Sequence, residues 1–272
     1  MSSLNSVFRA EGDKKMKLIS YLMAGDPGFE PSLRRLKGLA ETGVDILELG
    51  VPFSDPMADG PVIQAAAQRA LANGMTVAKT LELVESFRQT HETPLVIMSY
   101  LNPLLQYGWA RFVQVAVTVG VDGLIIPDLP WGEGKELRQS ASNLVGDKLA
   151  FIPMIAQTSQ AEDIQLLAHE STGFAYVLSR NGITGGEVDI PEQTLDLMEN
   201  LRQQLNLPLC VGFGIQKAEQ VRQLARVTDG VIIGSALVQK FTQLDQCYLQ
   251  ENEVRAGEEV IYSWLKSLRP PA

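Results

Sequence analysis

Short apolar runs and helix-like stretches alternate along this chain from one end to the other, and that alternation narrows the fold more than any other feature. The strand-like runs are Leu18–Met23, Ile46–Gly50, Leu95–Ser99, Gly123–Ile126, Ala150–Met154, Phe174–Leu178, Leu209–Gly212 and Gly230–Ile233. The stretches between them carry helix signals. Pro31 opens one helix and Gly43 follows its end, and Pro191 opens another that runs to about Leu205. Trp109 to Val119 is stopped by Gly120, and Ser159 with Glu162 makes a capping box for a helix reaching His169. Such alternation implies parallel βαβ units. Eight of them predict an α/β fold, a single (β/α)8 TIM barrel over residues 1–272 with additional helices. A doubly wound open sheet is the competing architecture.

A short repeat supports the regularity. Gly43-Val44-Asp45-Ile46, Gly120-Val121-Asp122-Gly123 and Val227-Thr228-Asp229-Gly230 each join a helix to a strand and read as one αβ turn used three times. No linker, charge block or low-complexity segment interrupts the pattern.

Composition excludes several functions. With 272 residues and a hydrophobic content of 45%, the chain can bury a large core. A net charge of −9 disfavours nucleic acid as a main partner. Cys210 and Cys247 are far apart and show no metal-ligand spacing, which fits a reduced, cytoplasmic setting. Residues 1–17 lack the apolar core of a signal peptide, and no run approaches the roughly 20 apolar residues of a membrane helix. Leu4, Val7 and Phe8 have helical spacing and predict a short amphipathic cap.

The chemistry concentrates after the second strand. Glu48 lies inside the apolar run Val44 to Val51, with Ile46, Glu48 and Gly50 on one strand face and Leu47, Leu49 and Val51 on the other. If both faces are covered, this carboxylate loses hydration and its pKa rises. Asp59 follows eleven residues later in a loop restricted by Pro52, Pro56 and Pro61. Two carboxylates in unlike surroundings point to divided acid and base roles. The plainer alternatives are an edge-strand Glu48 and an ordinary Asp59-Gly60 turn.

Barrel enzymes place their chemistry at the C-terminal ends of the strands. Asp26, Glu48, Asp59, Tyr100, Asn102, Asp128 and Tyr176 all fall at or near such ends. Glycine turns follow the last three strands: Gly182-Ile183-Thr184-Gly185-Gly186, Gly212-Phe213-Gly214 and Gly234-Ser235. Their backbones can approach an anion, and a helix N-terminus offers free N–H donors, so together they read as a phosphate cradle. Tight turns alone are the alternative. His91 and His169 lie away from the strand ends, which speaks against a histidine metal site or a Ser-His-Asp triad. No lysine sits within or just after a strand, Lys17 preceding the first, so a Schiff-base nucleophile is missing. No G-x-G-x-x-G fingerprint follows the first strand. What remains is carboxylate acid–base chemistry on a phosphorylated substrate, with no metal or organic cofactor in this chain.

Residues Glu48 to Pro61, Glu-Leu-Gly-Val-Pro-Phe-Ser-Asp-Pro-Met-Ala-Asp-Gly-Pro, closely resemble the signature of the tryptophan synthase α chain family. The resemblance extends over nearly the whole chain through Ala24-Gly25-Asp26-Pro27, Tyr100-Leu101-Asn102-Pro103, Pro127-Asp128-Leu129-Pro130, Leu178-Ser179-Arg180, Gly182-Ile183-Thr184-Gly185, Gly212-Phe213-Gly214-Ile215 and Gly234-Ser235-Ala236. It implies a lyase that splits indole-3-glycerol phosphate into indole and glyceraldehyde 3-phosphate. Glu48 is then the catalytic acid/base and Asp59 its companion. Tyr176 adjoins the glycerol part of the substrate, and Gly185, Gly214, Gly234 and Ser235 bind phosphate. Tyr21, Met98, Ile125 and Phe213 line the indole pocket. Arg180 to Gly186 form a mobile lid whose Thr184 meets Asp59 on closing. The implied partner is a β chain carrying pyridoxal phosphate, in an α2β2 heterotetramer that channels indole. Met57, and Trp131-Gly132, depart from the family's usual residues on the side expected to face that partner.

Overall fold

The computed structural model describes residues 3–9, 15–156, 159, 163–164, 166–167, 171–178, 190–212, 214–247 and 250–269. After a short helix, α1 (Ser3–Arg9), the described elements run β1 (Lys17–Met23), α2 (Phe29–Glu41), β2 (Ile46–Gly50), α3 (Pro61–Ala72), α4 (Val77–Arg88), β3 (Leu95–Met98), α5 (Leu101–Tyr107), α6 (Trp109–Thr118), β4 (Gly123–Ile125) and α7 (Lys135–Val145). The remainder are β5 (Ala150–Phe151), β6 (Met154–Ala156), β7 (Ala175–Leu178), α8 (Glu192–Gln204), β8 (Leu209–Gly212), α9 (Ala218–Leu224), β9 (Gly230–Ile233), α10 (Ser235–Asp245) and α11 (Glu251–Ser267).

Every strand pairing is parallel, in the order β5-β4-β3-β2-β1-β9-β8-β7-β6. The two strands at the ends of that order are neighbours in sequence, separated by Ile152 and Pro153 alone. Ile152 N–H donates to Leu124 O at 3.0 Å and Tyr176 N–H donates to Pro153 O at 2.9 Å. The stretch 150–156 is therefore one stave that bonds to β4 with its first half and to β7 with its second, and it closes the sheet into a TIM barrel. The expected strand Ala150–Met154 is thus two short ones reaching Ala156, because Pro153 has no N–H to contribute to a ladder. The open-sheet alternative is excluded by that closure. Lys17 is also the first residue of β1 rather than a residue before it, but it stands at the end away from the mouth.

Strand alternation sorts the side chains into two cores. Ile19, Ile46, Val96, Ile125, Ile152, Phe174, Cys210 and Ile232, one from each stave, meet in the barrel interior. The intervening residues, such as Leu47, Leu49, Ile97, Val177 and Val231, face outward into a larger core shared with the helices. The predicted N-terminal cap is α1. Its buried Leu4 joins the interior cluster, Phe8 packs at a tilt against Phe174 with ring centroids 5.8 Å apart, and Asn5 accepts a bond from Gly173 N–H at 3.1 Å. A Cβ on Gly123 would come within 2.8 Å of Leu4, so the missing side chain there admits the plug.

The threefold repeat has one physical function. Asp45, Asp122 and Asp229 each accept, through a carboxylate oxygen, a 2.8 Å bond from the backbone N–H of Leu18, Leu95 and Leu209 respectively. Each also donates its own N–H to the carbonyl of that same residue, at 2.8 or 2.9 Å. The aspartate thereby latches the start of its strand to the start of the preceding one. Arg269, Arg88 and Arg202 pair with the three carboxylates in turn. Gly43 and Gly120, at φ of 81° and 93°, make the left-handed turn before the first two latches.

Candidate active site

Glu48 is carried on β2 with its side chain on the inner face, beside Tyr21 of β1 and Val96 of β3 in register. It is 1% exposed, and neither carboxylate oxygen has a hydrogen-bond partner among the described residues. Burial, and secondarily the nearby charge of Asp59, push its pKa from an ordinary 4.5 up to about 8. At neutral pH this acid holds its proton.

Asp59 sits nine residues beyond the end of β2, in the loop that opens α3. Pro61 is the first helical residue, where its lack of an N–H costs nothing. The loop is fixed from β3: the Tyr100 hydroxyl accepts a 2.8 Å bond from Ala58 N–H and donates to the Asp59 carboxylate. Burial raises the Asp59 pKa to about 6, and the Tyr100 bond holds it from going higher. The two acids therefore differ, one dry and unpartnered, the other half-buried and hydrogen-bonded.

Two phenols complete the inner wall. Tyr21 and Tyr176 are pushed well above the usual tyrosine range by burial first, with the charges of Glu48 and Asp59 adding to it. Each ring lies over a glycine of the neighbouring stave. A Cβ on Gly50 would fall 2.1 Å from the Tyr21 hydroxyl, and one on Gly212 would fall 2.8 Å from that of Tyr176. The glycines are needed for close approach, leaving room for two rings and two carboxyls in one small volume.

The structure thus brings Glu48, Asp59, Tyr21 and Tyr176 together, and it adds Tyr100, which the sequence marked only as lying at a strand end. Met98 and Ile125 are paired in register on the inner faces of β3 and β4. Gly214 follows β8 in a left-handed turn at φ 60°, and Gly234 with Ser235 follows β9 at the start of α10. No side chain caps that helix N-terminus among the described residues, so its first N–H groups face the mouth. Thr184, Gly185 and Phe213, the segment Arg180 to Gly186 expected to form a lid, Glu162 and His169 lie outside the described residues. Asp26 and Asp128 are occupied elsewhere: Asp26 is forked by Arg69, and Asp128 accepts from Leu101 N–H at 2.9 Å. No cluster that could hold a metal ion occurs among the described residues, and none of their helices is long and apolar enough to cross a membrane.

A parallel barrel with two carboxyls of raised but unequal pKa in its C-terminal mouth, beside an uncapped helix N-terminus, has the build of the barrel enzymes that take small phosphorylated substrates. The family model for the tryptophan synthase alpha chain matches residues 8–264. The tryptophan synthase alpha chain of Carboxydothermus hydrogenoformans is 44% identical over 257 residues, covering 93% of this chain and 94% of that one. A crystal structure of the alpha subunit from Legionella pneumophila superposes with a TM-score of 0.87 at 34% identity, covering 98% of each chain. A structure from the tryptophan synthase α2β2 complex of Pyrococcus furiosus gives a TM-score of 0.82 at 32% identity, covering 93% of this chain and 98% of that one. The chain belongs to the tryptophan synthase alpha chain family. Membership makes it an enzyme subunit of tryptophan biosynthesis.

Proposed function

We propose that the chain is a lyase that cleaves indole-3-glycerol phosphate to indole and glyceraldehyde 3-phosphate, without a cofactor of its own. The observation that carries this reading is the Glu48 carboxyl, buried on the barrel's inner face with no hydrogen-bond partner among the described residues and a pKa of about 8. Such a group is a proton donor at neutral pH.

Glu48 delivers its proton to C3 of the indole ring. Asp59, ionised above about pH 6, accepts the indole N–H and favours its loss, leaving the indolenine tautomer. The ring is then the electron sink. As Glu48, now a carboxylate, removes the proton of the side-chain hydroxyl adjoining the ring, an aldehyde forms. The carbon–carbon bond breaks, its electron pair re-forms the C2–C3 double bond as N1 takes its proton back from Asp59, and the indole is restored. A positioned acid–base group of this kind contributes about 10²–10⁴-fold. Tyr21, Met98, Ile125 and Phe213 enclose the ring. Tyr176 adjoins the glycerol chain, and Gly185, Gly214, Gly234 and Ser235 hold the phosphate. Thr184 closes on Asp59 as part of a lid.

The relative solved in an α2β2 assembly supports a β chain as partner, to which indole passes in a heterotetramer. Pyridoxal phosphate belongs to that partner. The chain works as one cytoplasmic domain. The test is incubation of the purified chain with indole-3-glycerol phosphate, with and without a β chain, following free indole. Indole release that the β chain accelerates is the expected result. An isomer of the substrate, or no product in either mixture, would overturn the reading.

A further inference from the structure

Asp26, at the end of β1, takes no part in the chemistry proposed above, yet it anchors a tie between two helices that border the site. Arg69 of α3 donates from Nε to one Asp26 oxygen and from Nη2 to the other, both at 2.8 Å. The same Nη2 donates to the Thr242 hydroxyl of α10, again at 2.8 Å. Thr242 passes its own hydrogen to Val238 O at 2.9 Å. One planar guanidinium thus joins the loop after β1, helix α3 and helix α10.

These two helices serve the two ends of the proposed substrate. Asp59 lies two residues before the start of α3, and the Gly234-Ser235 turn opens α10. Arg69 is about 12 Å down α3 and Thr242 about 10 Å down α10, at the helical rise of about 1.5 Å per residue. The tie therefore joins the helices at matched depth, where an axial slip of one would be transmitted in full to its N-terminus. The far end of α10 is braced separately, since Arg35 of α2 pairs with Asp245 of α10 and with Glu258 of α11. The loop after β1 is also held to α3 by Asn73, which donates to Pro27 O at 2.6 Å.

We infer that Arg69 is a positioning residue that sets the span between the Asp59 carboxylate and the phosphate-binding start of α10. The inference rests on the substrate proposed above. A ligand that must touch both ends at once feels this span, whereas a ligand that touches one end does not. Misplacement of a reacting group by about 1 Å can cost about 10²-fold in rate. The Arg69 side chain is 34% exposed but that of Asp26 only 8%, so Arg69→Met leaves a nearly buried carboxylate without its cation and costs stability, and Thr242→Val, which keeps that pair, is tested beside it.

The experiment compares Arg69→Met, Arg69→Lys and Thr242→Val with the parent chain. Binding of inorganic phosphate, of indole and of an unreactive indolyl-alkyl phosphate is measured, together with kcat and KM for indole release. Phosphate and indole affinities are expected to stay within about twofold, the bridging ligand to weaken about 10-fold, and kcat to fall about 10–100-fold. Arg69→Lys keeps the charge but not the fork and should not restore them. Thr242→Val removes one acceptor and keeps the test open should Arg69→Met fail to fold. Equal weakening of all three ligands, or of none, overturns the inference. A parent chain that releases no indole refutes the proposed reaction instead, while the three-ligand comparison still decides the span.

Discussion

Burial without a hydrogen-bond donor makes the Glu48 carboxyl hard to ionise, so folding and deprotonation oppose each other at this position. In the unfolded chain it ionises near pH 4.5; in the folded chain near pH 8. Between those values the native state binds the extra proton, and stability falls by about 1.4 kcal/mol for each pH unit the group spans. Replacing Glu48 with Gln removes that penalty. Glu48→Gln should therefore raise Tm, by an amount that grows from pH 5 to pH 8 and then levels, while abolishing indole release by at least about 10²-fold. A thermal melt across this pH range and a single-turnover assay check both halves. Tyr100 is the second test at this scale. With Asp59 active as carboxylate and Glu48 active as acid, as proposed, the rate profile should be a bell between about pH 6 and about pH 8. Tyr100→Phe deletes the donor that holds the Asp59 pKa down, so the acid limb should move to higher pH and the bell should narrow. An unmoved acid limb would show that Asp59 does not govern it.

Among the elements, the three aspartate latches make a contrasting prediction. Asp122→Ala leaves the Leu95 N–H and the Arg88 guanidinium without their carboxylate. The cost should be about 1–3 kcal/mol, seen as a lower Tm, with kcat nearly unchanged because the latch stands at the opposite end of the barrel from Glu48. The repeat was visible in the sequence because each latch is a local device, an aspartate one residue before a strand. The strands were visible for a related reason: once helices cover the outer face and a second core fills the interior, both faces want apolar residues. Glu48 stood out against that background as a charge where none is affordable. Other features were not legible. Tyr100 reaches Ala58 across 42 residues of sequence and Arg69 reaches Asp26 across 43, and no spacing rule connects such pairs before the fold does. The break at Pro153 was hidden by the continuous apolar run around it, though proline itself was the available sign.

At the scale of the molecule, the net charge of −9 and the mouth's apolar rim separate two kinds of surface. Met57, in the loop after β2, is 93% exposed and Leu105, in α5 after β3, is 46% exposed, so both lie at the mouth end of the barrel. A β chain docking there would cover them. Met57→Asp should weaken β-chain binding about 10-fold, in line with the loss of a buried apolar anchor. Indole release by the isolated chain should be untouched. Titration of the β chain into each variant, reading the stimulated rate, separates the two quantities.

Helix α1 has a corollary for where hydrogens travel. Leu4 and Phe8 stopper the cylinder from below, so water has no convenient passage up its axis to the dry acid above them. Exchange with solvent must then take place on the side where the ligand enters. On the mechanism proposed above, a ligand lodged there isolates the hydrogen already on Glu48 from the bulk, and the one that carbon receives should be the one the empty enzyme was carrying.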